Sequence, residues 1–192
     1  LAQSNKDFWV KRYVSVSYPL KIIKINSWFG YRRDPFTGGK KFHNGIDLES
    51  SHDAVAAMFD GIVINLGSNQ ASGNFLTIQC GDYSICYCHL SRIIAKVGER
   101  INAGDVVGIT GSTGRATGDH LHITCRYKGK MRNPCKLLEY ITTTKEMCIK
   151  ILAAKGMPTE GEEEFLAYYA EAAMEQQIRY GIPASVTLAQ MA

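Results

Sequence analysis

From Tyr13 to Tyr127 the chain is written in short apolar runs, cut every few residues by glycine, aspartate or asparagine. Alternation of apolar and polar positions puts successive side chains on opposite faces of an extended backbone, so such runs read as strands. Tyr13–Tyr18 alternates and predicts an extra edge strand. Leu20–Ile25 predicts another, leading into Trp28-Phe29-Gly30. Tyr31–Gly39 has charge, proline and two glycines and reads as a loop that delivers His43. Asp53–Asn65 predicts two short strands joined at Asp60-Gly61, a strong hairpin signal. Phe75–Cys80 and Ser84–His89 predict two more strands around Gly81-Asp82. Arg92–Val97 reads as a turn, and Asp105–Thr110 and His120–Tyr127 as strands, with a turn at Lys128-Gly129-Lys130. Many short strands at close intervals predict a mainly β, antiparallel domain whose loops carry the chemistry.

Past Pro134 the pattern changes. Residues 141–160 read as a connector around one apolar segment, Met147–Ala154. Thr159 and Glu162 have the spacing of a helix capping box, and Phe165, Leu166, Tyr169, Ala172, Ala173 and Ile178 follow near helical spacing. Gly181 ends that helix and Pro183 suits the start of another. The expected organisation is a lead-in over 1–17, a β domain over 18–140, a connector over 141–160 and a small α-helical segment over 161–192.

The 192 residues carry a net charge of +4. That is a mildly basic surface, suited to an anionic polymer and too weak to argue for nucleic acid. No apolar run approaches the roughly 18 residues of a membrane span, and no basic-then-apolar leader opens the chain, although it starts at Leu1. The six cysteines, Cys80, Cys86, Cys88, Cys125, Cys135 and Cys148, include no Cys-x-x-Cys pair. Zinc ribbons and thioredoxin-like motifs are thereby excluded. Small buried side chains and disulfides of an oxidising compartment stay equally open.

The candidate chemistry lies in the histidines. His43 and Asp47 flank Asn44-Gly45-Ile46, His89 follows Tyr87-Cys88, and His120 and His122 flank Leu121. On a strand, residues two apart share a face about 6.5–7 Å apart. One ring of the His120/His122 pair can therefore bind a metal while the other stands beside it. His43 and Asp47 would be roughly 13 Å apart if extended. Asn44-Gly45 is expected to bend the chain, since both residues tolerate unusual backbone angles, and so bring them onto one ion. Two imidazoles and a carboxylate with a fourth position for water make a catalytic zinc set. The remaining histidines, His89 and His120, are left for proton transfer and charge stabilisation.

These motifs carry a specific resemblance. Trp28-Phe-Gly-Tyr-Arg-Arg-Asp-Pro-Phe-Thr-Gly38, Phe42-His-Asn-Gly-Ile-Asp-Leu48, Tyr87-Cys-His-Leu90 and Gly111-Ser-Thr-Gly-Arg-Ala-Thr-Gly-Asp-His-Leu-His122 resemble, in order, the LytM/lysostaphin-type zinc endopeptidases of bacterial cell walls. The likeness runs from about Tyr18 to Pro134. It implies one zinc ion held by His43, Asp47 and His122, with His120 as general base and His89 helping to stabilise the tetrahedral intermediate. Tyr87, two residues before His89 on the predicted strand and so on its face, is a further candidate for that stabilisation. It also implies peptidoglycan as substrate and an extracytoplasmic location. Ile123-Thr124-Cys125 departs from the aromatic and acidic continuation usual in the family, and Cys88 stands where alanine is common; both changes fall on pocket walls. The alternative is a catalytically silent wall-binding or hydrolase-activating module, disfavoured because all five site residues are present.

Gly108–Asp119 holds four glycines but lacks the Gly-Lys-Ser/Thr ending of a phosphate loop. It reads as a rim loop beside an extended peptide. Tyr180-Gly-Ile-Pro-Ala-Ser-Val-Thr-Leu-Ala-Gln-Met-Ala192 resembles the start of a bacterial glucosaminidase, which implies an incomplete second wall-acting domain over 161–192.

Overall fold

The structure is a computed structural model that describes residues 15–154, with the backbone alone for 147–154. The expected lead-in before residue 15 and the helices expected after Thr159 lie outside the described residues. Two compact units are distinguished: 18–138, and 1–17 with 139–192. The first holds the described strands and the site.

Among the described residues thirteen strands form three antiparallel sheets. In chain order they are β1 (Ile25–Ser27), β2 (Gly30–Arg33), β3 (Lys40–His43), β4 (Gly45–Glu49), β5 (Ala54–Ala56), β6 (Gly61–Asn69), β7 (Gly73–Cys80), β8 (Tyr83–Leu90), β9 (Arg92–Ile93), β10 (Arg100–Ile101), β11 (Val106–Ile109), β12 (His120–Tyr127) and β13 (Lys130–Arg132). The main sheet has the order β1-β4-β12-β8-β7-β6-β10, with β13 paired to β12. β5-β11-β9 form a second sheet and β2-β3 a hairpin. The helix α1 (Cys135–Ala154) follows.

Alternation decides which face of the main sheet is dry. Ile46 and Leu48, Leu121, Ile123 and Cys125, Ile85 and Tyr87, and Leu76 and Ile78 are all essentially inaccessible to water. Their strand neighbours Asp47, His122 and Cys86 therefore lie on the opposite face, which forms the floor of a cleft of about 520 Å³. The cross-strand rows on that floor are Asp47 opposite His122 opposite Cys88, and Gly45 opposite Thr124 opposite Cys86 opposite Thr77.

The mainly antiparallel β fold follows the sequence pattern, with several corrections. Asp60-Gly61 is not a hairpin, because β5 and β6 belong to different sheets. Asp60 instead accepts a hydrogen bond from the Ala103 amide at 2.7 Å, and a side chain at Gly61 would meet the Gln79 carbonyl at 2.4 Å. The strand expected at Leu20–Ile25 starts only at Ile25, and from the stretch 13–18 the described residues show a single bridge at Val16. Of the connector expected over 141–160, residues 141–154 are helical. The turn at Lys128-Gly129 is as expected: Tyr127 pairs with Lys130 across a two-residue loop whose residues both have positive φ, 48° and 77°.

Gly45 is required for a reason the sequence did not show. Neither Asn44 nor Gly45 has a positive φ. A Cβ on Gly45 would sit 2.3 Å from the Ile123 carbonyl oxygen and 2.6 Å from the His122 ring. Glycine is there because β12 and its histidine lie against it. Gly45→Ala is expected to cost about 1–3 kcal/mol, the usual range for overpacking. Gly81→Ala, strained by φ 57° but facing open space, should cost less. Urea unfolding of both variants checks the order.

Candidate metal centre

Four strands bring the five residues together. His43 closes β3, and the single residue Asn44 separates it from β4, which carries Asp47. β12 supplies His120 and His122 on one face, and β8 supplies His89. The donor atoms converge: His122 Nδ1 is 2.7 Å from Asp47 Oδ1, His43 Nε2 is 3.2 Å from the same oxygen, and the two nitrogens are 3.1 Å apart. Donors about 2.0–2.1 Å from a tetrahedral zinc stand roughly 3.3 Å apart. The three atoms are thus a slightly contracted zinc triangle, and two nitrogens with one oxygen suit that ion chemically. Among the described residues these three side chains form a group of three metal-ligating side chains whose donor atoms all lie within 4.8 Å of one another.

The hydrogen bonds at the back of each ring fix which nitrogen faces the site. A carbonyl can only accept, so His43 Nδ1–H donates to the Trp28 carbonyl at 2.9 Å and Nε2 keeps its lone pair. The same logic applies to the two histidines outside the triangle. His89 Nδ1–H donates to the Thr113 carbonyl at 2.7 Å, and His120 Nδ1–H to the Gly118 carbonyl at 2.8 Å. Both acceptors belong to the glycine-rich loop. That loop, expected to be a rim for substrate, also sets the tautomers of His89 and His120. Its packing is tight: a Cβ on Gly114 would lie 2.2 Å from the Gly73 amide nitrogen. His120 Nε2 is 3.7 Å from Asp47 Oδ1, and the His89 and His120 ring centroids are 4.7 Å apart.

His89 reaches the cleft through a break in alternation. Its φ is 62°, the register of β7 and β8 shifts between Asn74 and Leu76, and the His89 amide is taken by the Ser72 carbonyl at 2.8 Å. His89 consequently lines the cleft with Cys86 and Cys88, whereas Tyr87 does not. The expectation that Tyr87 assists in the site is therefore corrected. It is 1% exposed and its hydroxyl accepts a hydrogen bond from the Met58 amide in the core.

Burial tends to raise the Asp47 carboxyl, but hydrogen bonds and charge from His122 and His43 outweigh it and hold the group well below the usual carboxylate range. It is ionised at neutral pH. Burial lowers His122, against the opposing pull of Asp47. Burial also lowers His89, from 6.5 to about 4, with repulsion from His120 and His122 adding to the effect and the Thr113 carbonyl opposing it. At neutral pH His89 is an acceptor at Nε2, and it must take up a proton before it can donate to negative charge.

Other neighbours of the site are given no individual role by the sequence. Arg32 Nη2 stands 3.5 Å from Asp47 Oδ2, the oxygen turned away from His43 and His122. Asp34, 4% exposed, accepts both amides of Phe36 and Thr37 and pairs with Arg115 Nη2 at 3.1 Å and Lys41 Nζ at 3.3 Å. The Phe36 amide, followed by these other donors, lowers its carboxyl against burial. Through Arg115 it ties the β2–β3 hairpin to the glycine-rich loop, across 81 positions of sequence. Cys80, Cys86, Cys88 and Cys125 are all thiols. Cys86 and Cys88 touch at 3.5 Å. Their contact holds Cys86 below the ordinary thiol range and Cys88 above it, so Cys86 is the first of the two to give up its proton.

Comparison with known proteins agrees with this geometry. The sequence profile of Peptidase family M23 matches residues 41–134, a span containing all five site residues. The catalytic domain of the prophage-encoded M23 protein EnpA from Enterococcus faecalis, solved as a point mutant, is 30% identical with a TM-score of 0.55, over 63% of this chain and 95% of that one. The chain belongs to peptidase family M23. A zinc containing peptidase from Vibrio cholerae is similar to this M23 domain at 32% identity and TM-score 0.57, over 60% of this chain and 37% of that one. The peptidoglycan DD-endopeptidase ShyC of Vibrio cholerae serotype O1 is 33% identical over 165 residues, 84% of this chain. The M23 chain spans 35% of the length of that relative. The glucosaminidase resemblance of 161–192 has no support in these comparisons and lies outside the described residues.

A pH prediction follows from His89. Between its lowered folded value of about 4 and its ordinary 6.5, the unfolded chain binds a proton that the folded chain does not. Stability is then full above about pH 6.5 and falls as pH drops towards 4. His122 contributes in the same direction. Denaturant unfolding of metal-stripped protein should show this slope, and His89→Gln should flatten it in part.

Proposed function

We propose that this M23 chain is a zinc-dependent endopeptidase that hydrolyses stem peptides or cross-bridges of bacterial peptidoglycan, outside the cytoplasm. The observation that carries the reading is the convergence of His43 Nε2, Asp47 Oδ1 and His122 Nδ1 beside a fourth nitrogen, His120 Nε2, which is left as a lone pair. His43, Asp47 and His122 would hold one zinc ion. Bound there, zinc supplies Lewis acidity for the scissile carbonyl and for an attacking water.

The chain's own groups do the remainder. His120 Nε2 accepts the water's proton and passes it towards the leaving amine, with Gly118 keeping the ring in register. His89 offers a second lone pair and, once protonated, stabilises negative charge developing on the substrate oxygen. The cleft floor between β4, β12 and β8 receives an extended peptide. The name of the Vibrio relative favours a bond between D-amino acids in the cross-link. A silent module would require loss of a donor or of the base, and all five side chains are in place.

His122→Ala should lose stoichiometric zinc, whereas His120→Ala should keep zinc and lose about 10²–10⁴ in rate, the usual weight of a general base. Metal analysis beside turnover of each variant separates the two roles. The reading as a whole is tested by digesting purified sacculi with zinc-loaded protein. Mass analysis should find cross-linked muropeptides converted to uncross-linked ones. Intact cross-links after prolonged digestion, with zinc bound at one equivalent, would refute it.

A further inference from the structure

Two cleft-lining thiols take no part in the chemistry above. Cys86 and Cys88 sit two residues apart on β8, share its cleft face, and bring their sulfurs to 3.5 Å. Cys88 is opposite His122, and Cys86 is opposite Thr124 on one side and Thr77 on the other. Hydroxyls adjoin the sulfurs, with Thr77 hydrogen-bonded to Cys86 and Ser72 to Cys88. Cys86 is partly open to the cleft. Two thiols side by side can become a disulfide or a metal clamp, and the geometry separates these outcomes.

A disulfide needs the sulfurs at about 2.05 Å and Cα atoms no more than about 6.8 Å apart. Alternate residues of a strand stand at about 6.5–7 Å. Closing the remaining 1.5 Å or so would pucker β8, which β7 and β12 hold on both sides. A shared metal asks for much less. Two metal–sulfur bonds of the zinc–sulfur length, about 2.3 Å, at a tetrahedral angle put the sulfurs roughly 3.8 Å apart, and a larger ion slightly more. That is a few tenths of an ångström from the distance observed, within reach of small side-chain rotations.

We propose that Cys86 and Cys88 form a second metal site, a dithiolate clamp on the cleft floor that takes a soft, thiophilic ion of the Cd(II) or Cu(I) class. Softness sorts the two sites: thiolates select such ions, whereas two imidazoles and a carboxylate suit zinc. Binding of a divalent ion breaks two S–H bonds, forms two metal–sulfur bonds and releases two protons to the buffer. No electron moves. An ion held there stands in the row that contains Asp47 and His122 and obstructs a peptide lying on the floor. That obstruction, unlike ion binding itself, rests on the endopeptidase reading.

The test is a titration of the zinc-loaded chain with cadmium chloride under anaerobic, thiol-free reducing conditions. It follows thiolate-to-cadmium charge-transfer absorption in the ultraviolet, with metal content measured after gel filtration. One cadmium should bind beside a retained zinc, with the charge-transfer band. Cys86→Ser and Cys88→Ser should each weaken cadmium at least tenfold and lose most of the band. Cys80→Ser should change neither. If either serine variant fails to fold by circular dichroism, Cys86→Thr and Cys88→Ala replace it. A band that survives at both positions, cadmium that displaces zinc without a band, or no cadmium uptake would each overturn the proposal. All these readouts are independent of peptidoglycan cleavage, so failure of the enzymatic reading does not mimic failure of this one.

Discussion

The pairing register of β4 with β12 is the constraint on which the site depends. Asp47 stands opposite His122, and His120 opposite Glu49, only in the observed alignment. A slip of one residue would turn Ile46 and Leu48 towards water and the carboxylate into the core. Burial of Ile46, Leu48, Leu121 and Ile123 on the dry face makes that slip costly. Each fully buried aliphatic side chain is worth about 1.5–3 kcal/mol. The apolar face therefore does the positioning, and the donor atoms on the other face inherit its precision. Gly45 keeps the two strands close where a larger residue would push against His122.

Electrostatics and the loops complete that frame. An ionised Asp47 in a partly buried site is held by two imidazoles on one oxygen and by Arg32 beside the other. The loop over Gly111–Gly118 sets the His89 and His120 rings through its carbonyls, by occupying their Nδ1 protons. Asp34 and Arg115 fasten this loop to the hairpin that ends in His43. Three converging donor atoms and two further imidazoles from distant parts of the chain are thus cross-braced without any disulfide among Cys80, Cys86, Cys88 and Cys125.

Much of this was legible in the sequence, because strand alternation and short-range motif spacing are local properties. His120 and His122 share a face as a period of two requires, and the β7–β8 hairpin and the Lys128-Gly129 turn follow from local residue chemistry. What failed was non-local or broke the period. Asp60-Gly61 has the composition of a hairpin, but its strands find partners in separate sheets. Tyr87 shares a nominal face with His89, yet the positive φ of His89 sends the two to opposite sides. Asp34 and Arg115 meet only in three dimensions, and nothing in either local stretch announces it. The proposed residue roles and the extent of each domain rest on arguments beyond that local pattern.

The most direct measurement is X-ray absorption at the zinc edge of the chain loaded with one equivalent of zinc. Ligation by His43, Asp47 and His122 predicts a first shell of nitrogen and oxygen alone at about 2.0–2.1 Å, with outer-shell scattering from two imidazoles. A sulfur shell at about 2.3 Å would place zinc on the cysteines instead and contradict the account.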